Sequence, residues 1–108
     1  MPIIEITNAN FESEILKSNE PIILNFRGTG CTTCEYLAPE YLNLSDDEKY
    51  SRIKFCSVDV SQNKSVAIKM RVLFLPAFII FNNGHEIKRF SGNNVNINDV
   101  ENELAKII

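Results

Sequence analysis

Cys31 and Cys34 stand two residues apart in the stretch Arg27-Gly28-Thr29-Gly30-Cys31-Thr32-Thr33-Cys34. Two thiols at this spacing can bind a metal or act as a nucleophile and its resolving partner. Their place in the chain favours the second use. An apolar run, Pro21-Ile22-Ile23-Leu24-Asn25-Phe26, precedes the pair and reads as a buried strand, and helix formers, Glu35-Tyr36-Leu37-Ala38, follow it. A helix N-terminus leaves backbone N–H groups unpaired and carries partial positive charge. A thiolate held there is stabilised, its pKa falls, and it becomes a nucleophile near neutral pH. The second cysteine, one turn into the helix, can then attack the resulting mixed disulfide from within the same molecule.

The elements that position this pair follow from the apolar periodicity. Ile3 to Ile6 predicts a first strand, and Asn8 offers an N-cap for a helix carrying Phe11, Ile15 and Leu16 to about Ser18. Ile22 to Arg27, apolar on both faces for most of its length, predicts a central parallel strand. The helix opened by the cysteines is expected from Cys31 to about Tyr50, with Pro39 kinking it. Ile53 to Val60 predicts a third strand, and Ser61 a cap for a helix through Val66, Ala67 and Met70. Ala77 to Phe81 is a fourth strand, Asn82-Asn83-Gly84 a hairpin turn, and Glu86 to Phe90 the returning antiparallel strand. Asn98-Asp99-Val100-Glu101 resembles a capping box, opening a helix with Val100, Leu104 and Ile107 on one face. The order β-α-β-α-β-α-β-β-α predicts an α/β fold with a mixed, mostly parallel sheet of about five strands and about four flanking helices.

Composition sets outer bounds. At 108 residues, 44% hydrophobic and 23% charged, the chain fits a single domain over residues 1–108 with its own core. A net charge of −3 argues against nucleic-acid binding as the main task. No apolar run approaches the roughly 18–20 residues of a membrane span. The N-terminus lacks the basic flank and apolar stretch of a secretory signal, so a reducing, cytoplasmic setting is expected. Three cysteines, an odd number, argue against a structural disulfide framework.

Together these features closely resemble the thioredoxin family over essentially the whole chain. The landmarks are an apolar strand ending just before Cys31-Thr32-Thr33-Cys34, Pro39 five residues beyond Cys34, and Val58-Asp59-Val60 at a strand end. Further along come Leu75-Pro76, where the family has a cis-proline facing the active site, Phe81-Asn82-Asn83-Gly84 at the hairpin, and Gly92, where a glycine lines the substrate groove. The resemblance implies a thioredoxin fold and a protein disulfide oxidoreductase. Cys31 is then the exposed nucleophile and Cys34 the buried resolving thiol, while Thr32, Thr33, Leu75, Pro76 and Gly92 contact substrate. It also implies a monomer without a prosthetic cofactor or metal. Protein disulfides would be its substrates, and an external donor such as thioredoxin reductase or glutathione would return its electrons.

The departures are as informative. Gly30 replaces the family's tryptophan before the first cysteine, removing part of an apolar docking surface, and Thr32 and Thr33 replace glycine and proline. A hydroxyl and an added N–H beside Cys31 favour its thiolate and make the disulfide more oxidising. Asn25 stands where the family keeps a buried aspartate that moves protons for the resolving cysteine. An amide cannot serve as a base near pH 7. It is either a compromised proton relay or a satisfied strand asparagine. Phe55 falls where the family often has a lysine near that aspartate, so both members of the pair are absent. Arg27 replaces a second tryptophan, where its charge stabilises the thiolate, selects acidic partners or is simply solvated.

Other readings attach to the same residues. Zinc wants four ligands, and beyond the pair the remaining candidates are Cys56, expected in the core, and His85, expected exposed in the hairpin; two chains could also share a metal or iron–sulfur cluster. The acidic run Asp46-Asp47-Glu48 reads as solvated surface. Phe74, Leu75 and Phe78 suit an apolar groove, with Phe78 equally suited to the core. Two functional classes result: a thiol–disulfide oxidoreductase, and a non-catalytic interaction module that binds peptides along the Pro76 groove.

Overall fold

Ile22–Arg27 (β2) is buried from Ile22 through Phe26 because both faces of the strand are covered, as its unbroken apolar run requires. The computed structural model, which describes residues 3–108, joins it to Ile4–Ile6 (β1), Lys54–Asp59 (β3), Ala77–Asn82 (β4) and His85–Ser91 (β5). The five-stranded sheet has the order β1-β3-β2-β4-β5. β1 and β2 both run parallel to β3. β4 runs antiparallel to β2, and β5 antiparallel to β4. The sheet is mixed, as expected, but its antiparallel part begins one strand before the hairpin. Nothing local in a strand's sequence marks its direction against a neighbour distant in the chain.

Side chains along β2 alternate between two cores. Ile22, Leu24 and Phe26 meet Cys56, Val58, Ile79 and Phe81 in one, closed by Phe11, Ile15 and Val66. Ile23 meets Phe55, Phe78 and Ile80 in the other, beneath Leu37, Tyr41 and Leu44 of Thr32–Asp46 (α1) and Val100 and Leu104 of Ile97–Ala105 (α3). The Tyr41 hydroxyl lies 2.7 Å from the Cys56 carbonyl and 3.1 Å from that of Ile23, pinning α1 to β2 and β3. Beyond Ile23 and Phe55, the α1 face of the sheet turns polar: Asn25 and Arg27 follow on β2, and Ser57 and Asp59 stand beside them on β3.

Several element ends differ from expectation, each for a local hydrogen-bonding reason. The first helical segment is a π-type turn, Glu12–Leu16, and Asn8 does not cap it. No side chain caps it; the Thr7 hydroxyl instead accepts from the N–H groups of Ala9 and Asn10 in the turn that leads into it. The wider turn buries Phe11 and Ile15 but leaves Leu16 41% exposed, off the buried face. α1 holds Pro39 as expected but stops at Asp46. Asp47 is extended, and its carboxylate accepts from the Lys49 N–H at 2.9 Å, opening a separate 3-10 turn, Glu48–Tyr50. Lys64–Met70 (α2) begins after Asn63 rather than Ser61. The Ser61 hydroxyl accepts instead from the Thr29 N–H at 2.8 Å, tying its loop to the segment before Cys31. The cap of α3 lies two residues before the expected one, with the Asn96 side chain accepting from the Asn98 N–H at 2.8 Å.

The hairpin forms where Asn83-Gly84 predicts it, with φ of 54° and 77° at those residues, the left-handed pair that a type I′ turn requires. A side chain at Gly84 would collide with the Leu16 carbonyl, so the hairpin tip seats directly on the π-type turn.

Candidate active site

Cys31 is the N-cap of α1 and is joined by a disulfide to Cys34, with their Cα atoms 5.2 Å apart. The Cys31 sulfur accepts from the Cys34 N–H at 3.1 Å, so the unpaired donors of the first turn point at it. The two sulfurs differ in access. Cys31 is half-buried and faces an open cleft, whereas Cys34 is 6% exposed. That cleft, about 390 Å³, is lined by Thr29, Gly30, Cys31, Thr32, Thr33, Leu75 and Asn93.

Leu75 reaches the cleft from the loop before β4, and its peptide bond to the buried Pro76 is cis. Close approach of this loop depends on Gly28, because a Cβ there would lie 2.8 Å from a Leu75 methyl. Gly92 touches the same loop through its backbone, donating to the Pro76 carbonyl at 2.9 Å, but the cleft wall is made by its neighbour Asn93. Asn93 accepts from the Thr33 hydroxyl at 3.3 Å. No local pattern could have singled out Asn93; the contact joins residues far apart in sequence. Phe74 and Leu73 are exposed beside Leu75, but Phe78 is fully buried and belongs to the core rather than to a groove.

The other metal-ligand candidates lie elsewhere. Cys56 is buried in the core on the opposite face of the sheet, and burial pushes its thiol up to about 12. His85 is exposed at the start of β5, at the hairpin end of the sheet, opposite the end where β2 delivers the cysteines. Among the described residues no group of three or more His, Cys, Asp or Glu side chains is arranged to hold a metal, and no helix is long and apolar enough to cross a membrane.

Residues 2–106 match the family profile described as Thioredoxin. The chain belongs to the thioredoxin family. It is 38% identical over 81 residues to thioredoxin Asp f 28 of Aspergillus fumigatus, covering 74% of this chain and 73% of that one. It is also 30% identical over 89 residues to the bifunctional thioredoxin reductase/thioredoxin of Mycobacterium leprae, a match covering 82% of this chain but spanning only 19% of that longer protein. Plasmodium falciparum thioredoxin superposes with a TM-score of 0.86 at 26% identity, covering 98% of this chain and all of that one. The α/β architecture is therefore the thioredoxin fold.

The α1 face of β2 and β3, toward the strand ends, carries polar side chains. Asn25 is 6% exposed, and its Oδ1 is buried with no hydrogen-bond partner. Its partner on β3 is Ser57; Phe55, on the same face one pleat away, pairs with Ile23 and packs on Tyr41 with ring centroids 5.5 Å apart. Arg27 fills part of the polar stripe. Its Nη1 donates to the Ser57 hydroxyl, and its Nη2 pairs with Glu5 at 3.0 Å. Its charge is thus shared with a half-exposed carboxylate and directed toward Ser57.

Proposed function

We propose that this chain exchanges disulfides with protein substrates through the Cys31–Cys34 couple. The observation that carries the reading is the asymmetry of the pair: a sulfur at the helix cap that opens on a substrate-sized cleft, and a second sulfur buried one turn behind it. Reduced Cys31, as thiolate, attacks a substrate disulfide; one substrate sulfur leaves as a thiol, and the other stays in a mixed disulfide. Cys34 then attacks the Cys31 sulfur, the bond to substrate breaks, and the substrate departs carrying both electrons as a dithiol. The chain is left oxidised, the state that the structure holds.

Leu75 and the Pro76 loop face Cys31 across the cleft and would align an extended substrate segment. Thr32 and Thr33 would form its floor, and Gly92 would contact it beside Asn93. Arg27 and Asn25 would tune the pair from beneath. Electrons return from an external dithiol source, a thioredoxin reductase or glutathione; the name of the Mycobacterium leprae relative, which joins both activities, supports the first. No prosthetic group enters this chemistry, and the working unit is taken as a cytoplasmic monomer.

The test is reduction of insulin disulfides with dithiothreitol or a thioredoxin reductase as donor. Wild-type chain accelerates it and Cys31→Ser abolishes the effect, while Cys34→Ser accumulates a covalent complex with substrate. A second reading, a peptide-binding module without turnover, draws on Asn25 in place of an acid. It would be favoured by a wild-type chain that binds substrate peptides yet matches Cys31→Ser in the insulin assay.

A further inference from the structure

Cys34 must lose a proton before it can attack, and Asn25, the buried polar side chain on the α1 face of β2, cannot accept one. Cys34 nevertheless has a second opening. Behind the cysteine loop lies a separate open cleft of about 310 Å³, walled by Cys34, Arg27, Glu35 and Asp59 among others. Resting on the oxidoreductase reading above, we propose that Asp59 takes up the Cys34 proton through the solvent of this cleft, replacing the strand-buried acid that the chain lacks.

Three observations favour Asp59. It sits on the same sheet face as Asn25, one pleat nearer the end of the strands, directly across from Arg27. Arg27 does not neutralise it, because that guanidinium is engaged by Ser57 and Glu5. Asp59 is held in place by the Ser61 N–H, which donates to its Oδ1 at 2.9 Å. The other carboxylate on the cleft wall, Glu35, is exposed on the helix surface, whereas Asp59 is half-buried on a rigid strand. The charged groups facing Cys34 are therefore Arg27 from β2, Asp59 from β3 and Glu35 from its own helix, with Glu5 of β1 entering through its ion pair with Arg27.

The step balances. The Cys34 S–H gives its proton to the Asp59 carboxylate through water, and the Cys34 thiolate forms a bond to the Cys31 sulfur. The Cys31–substrate bond breaks, and its electron pair leaves on the substrate sulfur. That thiolate takes a proton from the cleft solvent, to which Asp59 returns its own.

The reduced chain is mixed with a symmetrical nitrobenzoate disulfide that releases one coloured thiolate when Cys31 attacks and a second when Cys34 resolves. In Asp59→Asn the first phase keeps its wild-type rate, which also reports an intact fold. The second slows about tenfold between roughly pH 6 and 8, less than the hundredfold or more of a directly bonded base. The two proteins converge above about pH 9, where thiols ionise unaided. Asp59→Glu restores the second phase. If wild type releases both equivalents and Asp59→Asn matches it at every pH, or if Glu35→Gln slows the second phase instead, the proposal falls and the oxidoreductase reading stands. If wild type never releases the second equivalent, both fall.

Discussion

Replacing Asn25 by aspartate puts an acid of nearly the same shape at a site 6% exposed, between Ser57 on one side and Phe78 on the other. The oxygen that lacks a partner in wild type would then carry charge in an apolar setting. Burial penalises the ionised form, so the folded-state pKa of this carboxyl rises above the unfolded value of about 3.9. The sign follows: the variant folds as well as wild type below about pH 4 and loses stability as pH rises through the folded-state value. The loss is about 1.4 kcal/mol for each pH unit crossed and levels off near 3–4 kcal/mol for a carboxyl this deep. A domain stable by roughly 5–15 kcal/mol still folds. Urea titrations at about pH 4.5, 6 and 8, compared with wild type at each pH, read the gap directly. The same acid stands on the α1 face of β2, two residues before Arg27 of the Cys34 cleft, and offers the proton a second acceptor, so Asn25→Asp should speed the resolving phase and rescue Asp59→Asn in the double variant. A stability gap that does not change with pH would refute the premise that position 25 is dry. A double variant as slow as Asp59→Asn alone would refute the claim that the two positions serve one proton.

Three further outcomes are expected. The Cys31–Cys34 couple, equilibrated with glutathione or dithiothreitol, should sit above the roughly −270 mV of ordinary thioredoxin, with Thr33→Pro lowering it; a wild-type value at or below that level refutes the role given to the threonines. Cys56, its thiol pushed up to about 12 by burial, should resist alkylation at about pH 8 until the chain is unfolded, and rapid labelling of the native protein would contradict its place in the core. Gly84→Ala places a side chain at φ of 77° against the Leu16 carbonyl and should cost at least about 2 kcal/mol in urea titration, without changing the rate at which Cys31 reacts.

The fold was legible where the sequence speaks locally. The run Ile22 to Phe26, the Asn83-Gly84 turn and the cysteines ahead of a helix each act over a few residues, and each stands where its pattern places it. The α3 cap slipped because good candidates crowd together: Asn93, Asn94, Asn96 and Asn98 all lie within six residues, and the one that caps is Asn96, through the Asn98 N–H. What no local pattern carries is register. Whether Phe55 or Ser57 stands beside Asn25, whether β4 runs with or against β2, and which residue meets Thr33 are settled by pairings between distant segments. For the site, this means that the reactive sulfurs and the cleft residues Thr32, Thr33 and Leu75 could be read from the sequence, but in their surroundings Asn93 and the pairing of Asn25 with Ser57 could not.

Those surroundings show how the polar groups are distributed beneath the cysteines. Along the α1 face of β2 and β3 the side chains pass from Ile23 and Phe55, through neutral Asn25 and Ser57, to charged Arg27 and Asp59 at the strand ends. Charge therefore appears only where solvent reaches it. A buried acid at position 25 would place a proton acceptor inside the sheet face but would destabilise the chain at neutral pH by the amount worked out above. An asparagine there removes that penalty, and the acceptor moves to the cleft wall, where Asp59 is half-buried and open to solvent. On this reasoning the chain exchanges speed in the resolving step for stability that does not depend on pH. The stability gap between wild type and Asn25→Asp should accordingly open mostly between about pH 4 and 6.5 and change little from there to about pH 8.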